Sequence, residues 1–399
     1  MVGNSVLESP KKNCDLVKWR IWSSREPRGS MSSALFSKFK MRGLELGNRI
    51  VVSPMGQYSA ENGCATDWHM MHLGHLSVSG AALLITEATA VEMPGRLSKN
   101  DLGLWSDENE EALAPIIAFC RKYGGAKLGI QLYHGGRKGS ISTAWEGQRP
   151  ISKENGGWTI YGPSDNPYPG RNTPEMLDDA GIARAISAFA NAAKRADRIG
   201  FDVLEIHGAH GYLIHNFLSP LSNLRTDRYG GSRQGRMRFA LEVYEAIGIV
   251  WPDHKPLGMR ISATDWVDGG WSLDDSVALA TELRRRNCDF ITASSGGAVP
   301  EQKLKVEPGY QVPFAERIRR ETGIATMAVG LITEPRHAEA IVSSGQADLV
   351  ALGRGMLFNP RWPWHAAMEL GDEVYYPPQY ERSHPKMRGG DFLKPRADK

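Results

Sequence analysis

Cysteine is scarce in this chain. Four stand in 399 residues, Cys14, Cys64, Cys120 and Cys288, all far apart and none in a CxxC pair, so zinc ribbons and cysteine-ligated iron–sulfur clusters lack their ligands. The four read as reduced, mostly structural thiols. Any run of 18 or more apolar residues is also missing, and the opening "MVGNSVLESPKKNC" has no apolar core of a signal peptide. The expectation is a cytoplasmic protein with no membrane partner. Charge of one sign is absent too: 48 Lys and Arg against 45 Asp and Glu leave +3. The basic residues are interspersed with acidic ones, so nucleic acid is not indicated.

What is present is glycine, 43 residues of it, which implies many tight turns and close backbone approaches. The length fits one large domain with appendages, because α/β barrels routinely exceed 250 residues as a single domain. Residues 1–34 are polar and unpatterned and read as a loosely ordered extension, in which Met31 offers a second start. Residues 35–372 read as the barrel, and 373–399 as a C-terminal tail. Within the barrel, apolar runs of strand length alternate with amphipathic stretches of helix length, the pattern of repeated βα units. The runs are "NRIVVSPM", "AALLITEATAV", "KLGIQLYH", "DVLEIHGAH", "PLGMRISA", "CDFITASSG", "IATMAVGLI" and "LVALGRGM". Eight of them predict a (β/α)8 TIM barrel in preference to an open doubly wound sheet.

Polar side chains cluster at the C-terminal ends of these runs, Gln131 and His134, His207 and His210, Arg260, Ser294 and Ser295, and Arg354, and the glycines Gly330 and Gly353 stand there with them. In a barrel those ends converge on the face that holds active sites. The Gly/Pro/Ser/Asn-rich stretch 136–180 suits a loop over that face. Gly330 and Gly353 free backbone N–H groups for an anion, and Arg354 adds charge at the place where barrels bind phosphate. The alternative is that these glycines only turn the chain.

"EIHGAHGY" brings His207, His210 and Tyr212 to the end of the fourth run. A pair of imidazoles invites metal, but no third ligand of matching character lies nearby, and holding a developing oxyanion with a tyrosine as proton donor is the better reading. His69, His72 and His75 in "DWHMMHLGHL" fan over about 120° of a helix and about 9 Å of rise, too far to share an ion, so a structural helix is expected. Arg260 lies on an otherwise apolar run, where a buried guanidinium needs a negative or electron-rich partner. A structural ion pair would satisfy it equally.

Taken together, "SPMGQYS", "EATAV", "GIQLYHGGRK", "EIHGAHGYLIHNFLSPLSNLRTDRYGGS", "RISATDW", "EPGYQVPFAERIR", "AVGLIT", "ALGRGML" and "QYER" resemble the Old Yellow Enzyme family of flavin-dependent ene-reductases, in its thermophilic-like class, from about residue 35 to 382. The resemblance implies an FMN barrel in which NADPH or NADH gives hydride to flavin N5. An activated alkene, an α,β-unsaturated carbonyl or nitro compound, then takes that hydride at Cβ and a proton at Cα. It implies that Ser53, Pro54, Met55 and Gly56 line the flavin, that Ala88 and Gln131 contact its ring system, and that Arg260 sits near N1. Gly330, Gly353 and Arg354 would hold the phosphate. His207 and His210 would bind the substrate oxygen, Tyr212 would deliver the proton, and Tyr58 would line the pocket. Arg382 would reach a neighbouring subunit's site, in a homodimer or homotetramer.

One position departs from the family's pattern. Gly56 falls where thermophilic-like relatives usually carry a cysteine close to the flavin, so an altered reduction potential and extra room beside the ring are expected. Other FMN barrels, acting on dihydroorotate or dihydrouridine, expect a catalytic Ser or Cys in a loop, and "HGAHGY" argues against them. Larger 2-enoate reductases need iron–sulfur cysteines and a dinucleotide domain that this chain lacks. From a different class, a flavin-binding protein with little turnover would not need Tyr212.

Overall fold

The computed structural model describes residues 32–384; residues 1–31, which hold Cys14 and Met31, and residues 385–399 lie outside the described residues. The eight apolar runs form eight strands: β1 Ile50–Val52, β2 Leu83–Ala90, β3 Lys127–Tyr133, β4 Val203–Gly208, β5 Leu257–Ser262, β6 Phe290–Ser294, β7 Ala325–Ala328 and β8 Leu349–Leu352. Each pairs in parallel with the next, and β8 closes on β1. The fold is a (β/α)8 TIM barrel. Around it lie α1 Asp67–Ser77, α2 Asp107–Tyr123, α3 Asp179–Ile199, α4 Arg233–Gly248, α5 Leu273–Arg285, α6 Val312–Thr322, α7 Pro335–Ser343 and α8 Trp362–Leu370.

Local chemistry explains the helix limits. Asp178 Oδ1 accepts from Gly181 N–H at 2.7 Å at the start of α3, and Ser272 and Asp275 cap α5 reciprocally. Each satisfies an amide that has no partner inside the helix. At the other end of α3, Gly200 takes φ +97°, a left-handed conformation that glycine adopts without strain. Among the described residues, no helix is long and apolar enough to cross a membrane.

Strand alternation divides the side chains into two cores. Val51, Leu83, Val203, Phe290, Met327 and Leu349 fill the barrel's lower interior, and the hairpin Phe39–Met41/Leu44–Leu46 closes that end with Met41 and Leu46. Phe290 crosses the axis so tightly that a Cβ on Gly258 would lie 2.5 Å from its ring. The outward-facing residues, such as Leu204, Ile206 and Ile261, pack against the helices with Phe189, Phe239 and Leu279. Before the barrel, Ser32 Oγ donates to Asp372 at 2.9 Å and Ala34 N–H to Glu339 at 3.0 Å, tying the chain to the loop after α8 and to α7.

Above the apolar layers the interior turns polar, and the loops of the C-terminal face close over it. Stretch 136–180 carries short turns and a two-residue strand pair, Tyr161–Gly162 with Glu175–Met176. It is pinned to the loop after β2 by Trp158 Nε1–H donating to Pro94 O at 3.2 Å. Its Trp145 ring meets the Tyr58 ring edge-on at 5.8 Å.

Candidate active site

Two adjoining cavities open at the C-terminal ends of the strands. One, of about 340 Å³, is lined by Ser53, Pro54, Met55, Arg260, Ser294, Gln311, Gly330, Gly353 and Arg354, among others. The second, of about 160 Å³, is lined by Gly56, Tyr58, Glu87, Ala88, Gln131, His207 and Tyr212, among others. Pro54, His210 and Arg260 line both and join them. The sequence-derived positions thus converge on one place, with the anion-type residues in the larger cavity and the oxyanion-type residues in the smaller. Arg382 is exposed and lines neither.

Backbone geometry sets these side chains. A register shift in the β2–β3 pairing between Ile85 and Ala88 re-aims the strand, as bulges do, and lets both Glu87 and Ala88 line the cavity. Glu87 Oε2 then accepts from Gln57 N–H at 2.7 Å, while Oε1 lies 3.1 Å from His69 Nε2. Thr66 N–H donates to His69 Nδ1 at 3.0 Å, so both nitrogens of this histidine serve the loop after β1. Tyr58, held at φ +51°, folds back over Gly56. A Cβ on Gly56 would meet its ring at 3.6 Å, so the room left by the missing side chain borders Tyr58.

β4 ends at Gly208, and His210 follows at φ +59°, a left-handed conformation uncommon for a side-chain residue. Its N–H donates to Ser262 Oγ at 2.9 Å, which holds the turn. Ala209 N–H donates to His207 Nδ1 at 3.2 Å, leaving the proton of neutral His207 on Nε2. That atom lies 3.3 Å from His210 Nδ1, and His210 Nε2 lies 2.7 Å from Ser294 Oγ. Burial and the charge of Arg260 hold both imidazoles well below the usual histidine range. Both are therefore neutral near pH 7. Burial also pushes the Tyr212 phenol well above its ordinary value, so it stays protonated; its ring sits 4.9 Å from that of His207.

Arg260 Nη1 donates to Ser53 Oγ at 3.1 Å, and its Nε is buried without a hydrogen-bond partner. Glu205, on the neighbouring strand, does most to favour its charge. Gly330, at φ +113°, needs glycine's freedom. A flat heterocycle with acceptors at Arg260, a hydroxylated chain along Ser53 and Ser294, and a phosphate between Gly330, Gly353 and Arg354 would fit this donor set. The helix after β8 is only Arg354–Phe358, so its dipole adds little and the backbone amides and Arg354 carry more.

Several site residues escaped sequence reasoning. Glu205 lies fully buried in the polar layer, and Asp101 accepts from Tyr133 Oη–H in the lining of the smaller cavity. Lys138 donates to His210 O at 2.9 Å, its amine pulled down to about 7 by burial and by Arg137 and Arg171. Charged residues on buried strands were the available signal for Glu205 and Arg260 alike; only Arg260 was singled out. His134 proves structural: Gly136 N–H donates to its Nδ1 at 3.0 Å, and its Nε2 lies 2.9 Å from Glu92. Cys120 and Cys288 are buried, and burial raises their thiols to about 11 and about 12, in keeping with structural roles. Among the described residues, no group of three or more His, Cys, Asp or Glu is placed to hold a metal.

Comparison with known proteins shows the family. The pattern of the NADH:flavin oxidoreductase / NADH oxidase family matches residues 34–373. An NADPH dehydrogenase of Geobacillus sp. (strain WCH70) is 46% identical over 355 residues, covering 88% of this chain and 99% of the relative. One of Halalkalibacterium halodurans is 42% identical over the same shares. Among solved structures, morphinone reductase superposes with a TM-score of 0.70 at 25% identity, over 88% of this chain and 93% of the other. The chain belongs to the NADH:flavin oxidoreductase / NADH oxidase family, and is a flavin-dependent oxidoreductase that uses FMN and a reduced nicotinamide donor.

Proposed function

We propose that this enzyme reduces the C=C bond of α,β-unsaturated carbonyl or nitro compounds. One observation carries the reading: neutral His207 and His210, protonated Tyr212 and Tyr58 face a cavity that joins the flavin-type cavity through Arg260 and Pro54. FMN, when bound, supplies the hydride chemistry, accepting from NAD(P)H and giving to the alkene β-carbon.

The chain's own residues supply the rest. With a substrate oxygen between the two rings, a Ser294 Oγ–H turned onto His210 Nε2 would leave that imidazole's proton on Nδ1, beside His207 Nε2–H. Two N–H groups about this far apart hold one substrate oxygen, and the charge growing there in the transition state strengthens both bonds. Tyr212 gives the α-carbon its proton, and Tyr58, with Trp145 edge-on against it, walls the pocket. Ser53, Pro54, Met55 and Gly56, with Ala88 and Gln131, are assigned to the flavin ring, and Gly330, Gly353 and Arg354 to its phosphate.

The test is anaerobic. The purified yellow protein is expected to bleach with NADPH and to regain colour with 2-cyclohexenone. No bleaching would overturn the reading; bleaching without re-oxidation by any enone or nitro compound would leave a flavoprotein that is not an ene-reductase.

A second copy of the chain is the proposed partner. A groove of about 630 Å³ lies between α1, α2 and the tail, lined by Met71, Phe119, Tyr123 and Tyr380, and these side chains are exposed. Apolar exposure of this kind is the mark of an interface. Arg382 stands on the same tail, where it would be carried toward the partner's site. Phe119→Glu is expected to yield monomers in sedimentation analysis; an unchanged oligomer, or a wild-type monomer, counts against the assignment.

A further inference from the structure

Between the flavin-type cavity and the apolar barrel floor lies a layer of four polar side chains, Gln131, Glu205, Arg260 and Thr292. Gln131 and Glu205 are register partners on β3 and β4, as are Arg260 and Thr292 on β5 and β6. Glu205 is fully buried, and each of its oxygens has a donor: Thr292 Oγ1–H on Oε1 at 2.5 Å and Gln131 Nε2–H on Oε2 at 2.6 Å. Contacts this short between a carboxyl and its donors are those of a charge-assisted pair. Burial raises the Glu205 carboxyl; Arg260 is the cation whose field does most to keep it ionised, and Glu205 in turn does most to favour the charge of Arg260.

Two consequences follow from that placement. A primary amide can turn over, exchanging its oxygen and nitrogen, and Gln131 lines the cavity. An ionised carboxylate only accepts, so beside ionised Glu205 the flipped amide would set oxygen against oxygen in a dry interior, and that state is disfavoured. Gln131 therefore meets the cavity with Oε1 and its second N–H in fixed places. Next, Arg260 without Glu205 would be an uncompensated buried cation, drawing negative charge toward itself in any ring bound against it.

We propose that Glu205 is a positioning residue for the cofactor: it fixes the donor–acceptor order that Gln131 presents to the flavin, and it offsets Arg260 so that the flavin's reduction potential is held down. Glu205 touches neither flavin nor substrate. The proposal rests on the flavin placement given above, and wild-type apoprotein tests that placement separately: failure to bind FMN would remove the placement itself.

The experiment compares wild type, Glu205→Gln, Gln131→Leu and the double variant, titrating apoprotein with FMN by fluorescence quenching and measuring the midpoint potential of each holoprotein against a reference dye. Glu205→Gln is expected to weaken FMN binding tenfold or more and to make the potential more positive. In the Gln131→Leu background the same change should alter affinity by less than threefold, while the potential shift persists, because one effect passes through Gln131 and the other through Arg260. Affinity and potential both unchanged in Glu205→Gln, or a lower melting temperature as the sole effect, would overturn the proposal. Should Glu205→Gln not fold, Glu205→Asp takes its place, keeping the charge but withdrawing it from Gln131. Weaker FMN binding at unchanged potential is then expected, and wild-type affinity would overturn the assignment.

Discussion

At the scale of single residues, the roles in the smaller cavity separate by what each side chain can still do when its neighbour is removed. Tyr212 supplies a proton only after hydride has reached the alkene. Tyr212→Phe should therefore leave bleaching by NADPH near the wild-type rate while slowing re-oxidation by 2-cyclohexenone about 10²- to 10⁴-fold, read by stopped-flow absorbance at the flavin band. Equal slowing of both steps would assign the residue to cofactor binding instead. Gly56 is a different case, because its space is bounded by the Tyr58 ring at ordinary contact distance. Gly56→Cys should fold with a stability change under about 1 kcal/mol, yet shift both the midpoint potential and the enone affinity. Neither shifting would show that the missing sulfur is without consequence. Both positions were legible in the sequence as motif members. The ring folded over Gly56 was not, since it depends on a positive φ at Tyr58 that the residue type disfavours.

At the scale of elements, the barrel has two ends with different duties. The hairpin Phe39–Met41/Leu44–Leu46 plugs the end opposite the site, where Leu46 is fully buried. Leu46→Ala should cost about 2–5 kcal/mol of stability by the cavity it leaves, measured by urea unfolding, with kcat and KM unchanged at 25 °C. A large kinetic effect would mean that the two ends are coupled. The loop after β1 belongs to the other end, and its clamp comes from α1 through His69 and from β2 through Glu87. The histidine spacing on α1 predicted a structural helix, and the helix is there. What spacing did not reveal is that His69 works for the cavity, because the bulge that turns Glu87 inward is a property of strand pairing. Helix limits were more legible: Asp178 and Ser272 before α3 and α5, and glycines after α3 and α6, act through neighbours one turn away.

At the scale of the whole molecule, burial of basic side chains ties stability to pH. His207 and His210 are held well below the ordinary histidine value, His75 and His365 are lowered, and His72 is lowered to about 4. The unfolded chain then binds more protons than the folded one between those values and about 6.5. Stability should fall as pH drops from 7 toward 5. The buried carboxyls Glu87, Asp101 and Glu205 are raised and pull the other way, so the measurement compares Tm against pH for wild type and His72→Gln. A shallower slope in the variant is expected, and an identical slope would discount His72. The sequence by itself determined the eight βα repeats, the barrel they close into, and the motifs that converge on its C-terminal face, because periodicity, capping and turn chemistry act between residues close in the chain. Only the tertiary structure decided that Glu205 stands beside Gln131 and Arg260, that Ser294 meets His210, and that Trp145 meets Tyr58. Those pairs join residues tens of positions apart across different strands and loops, and strand register with burial, not local pattern, brings them together.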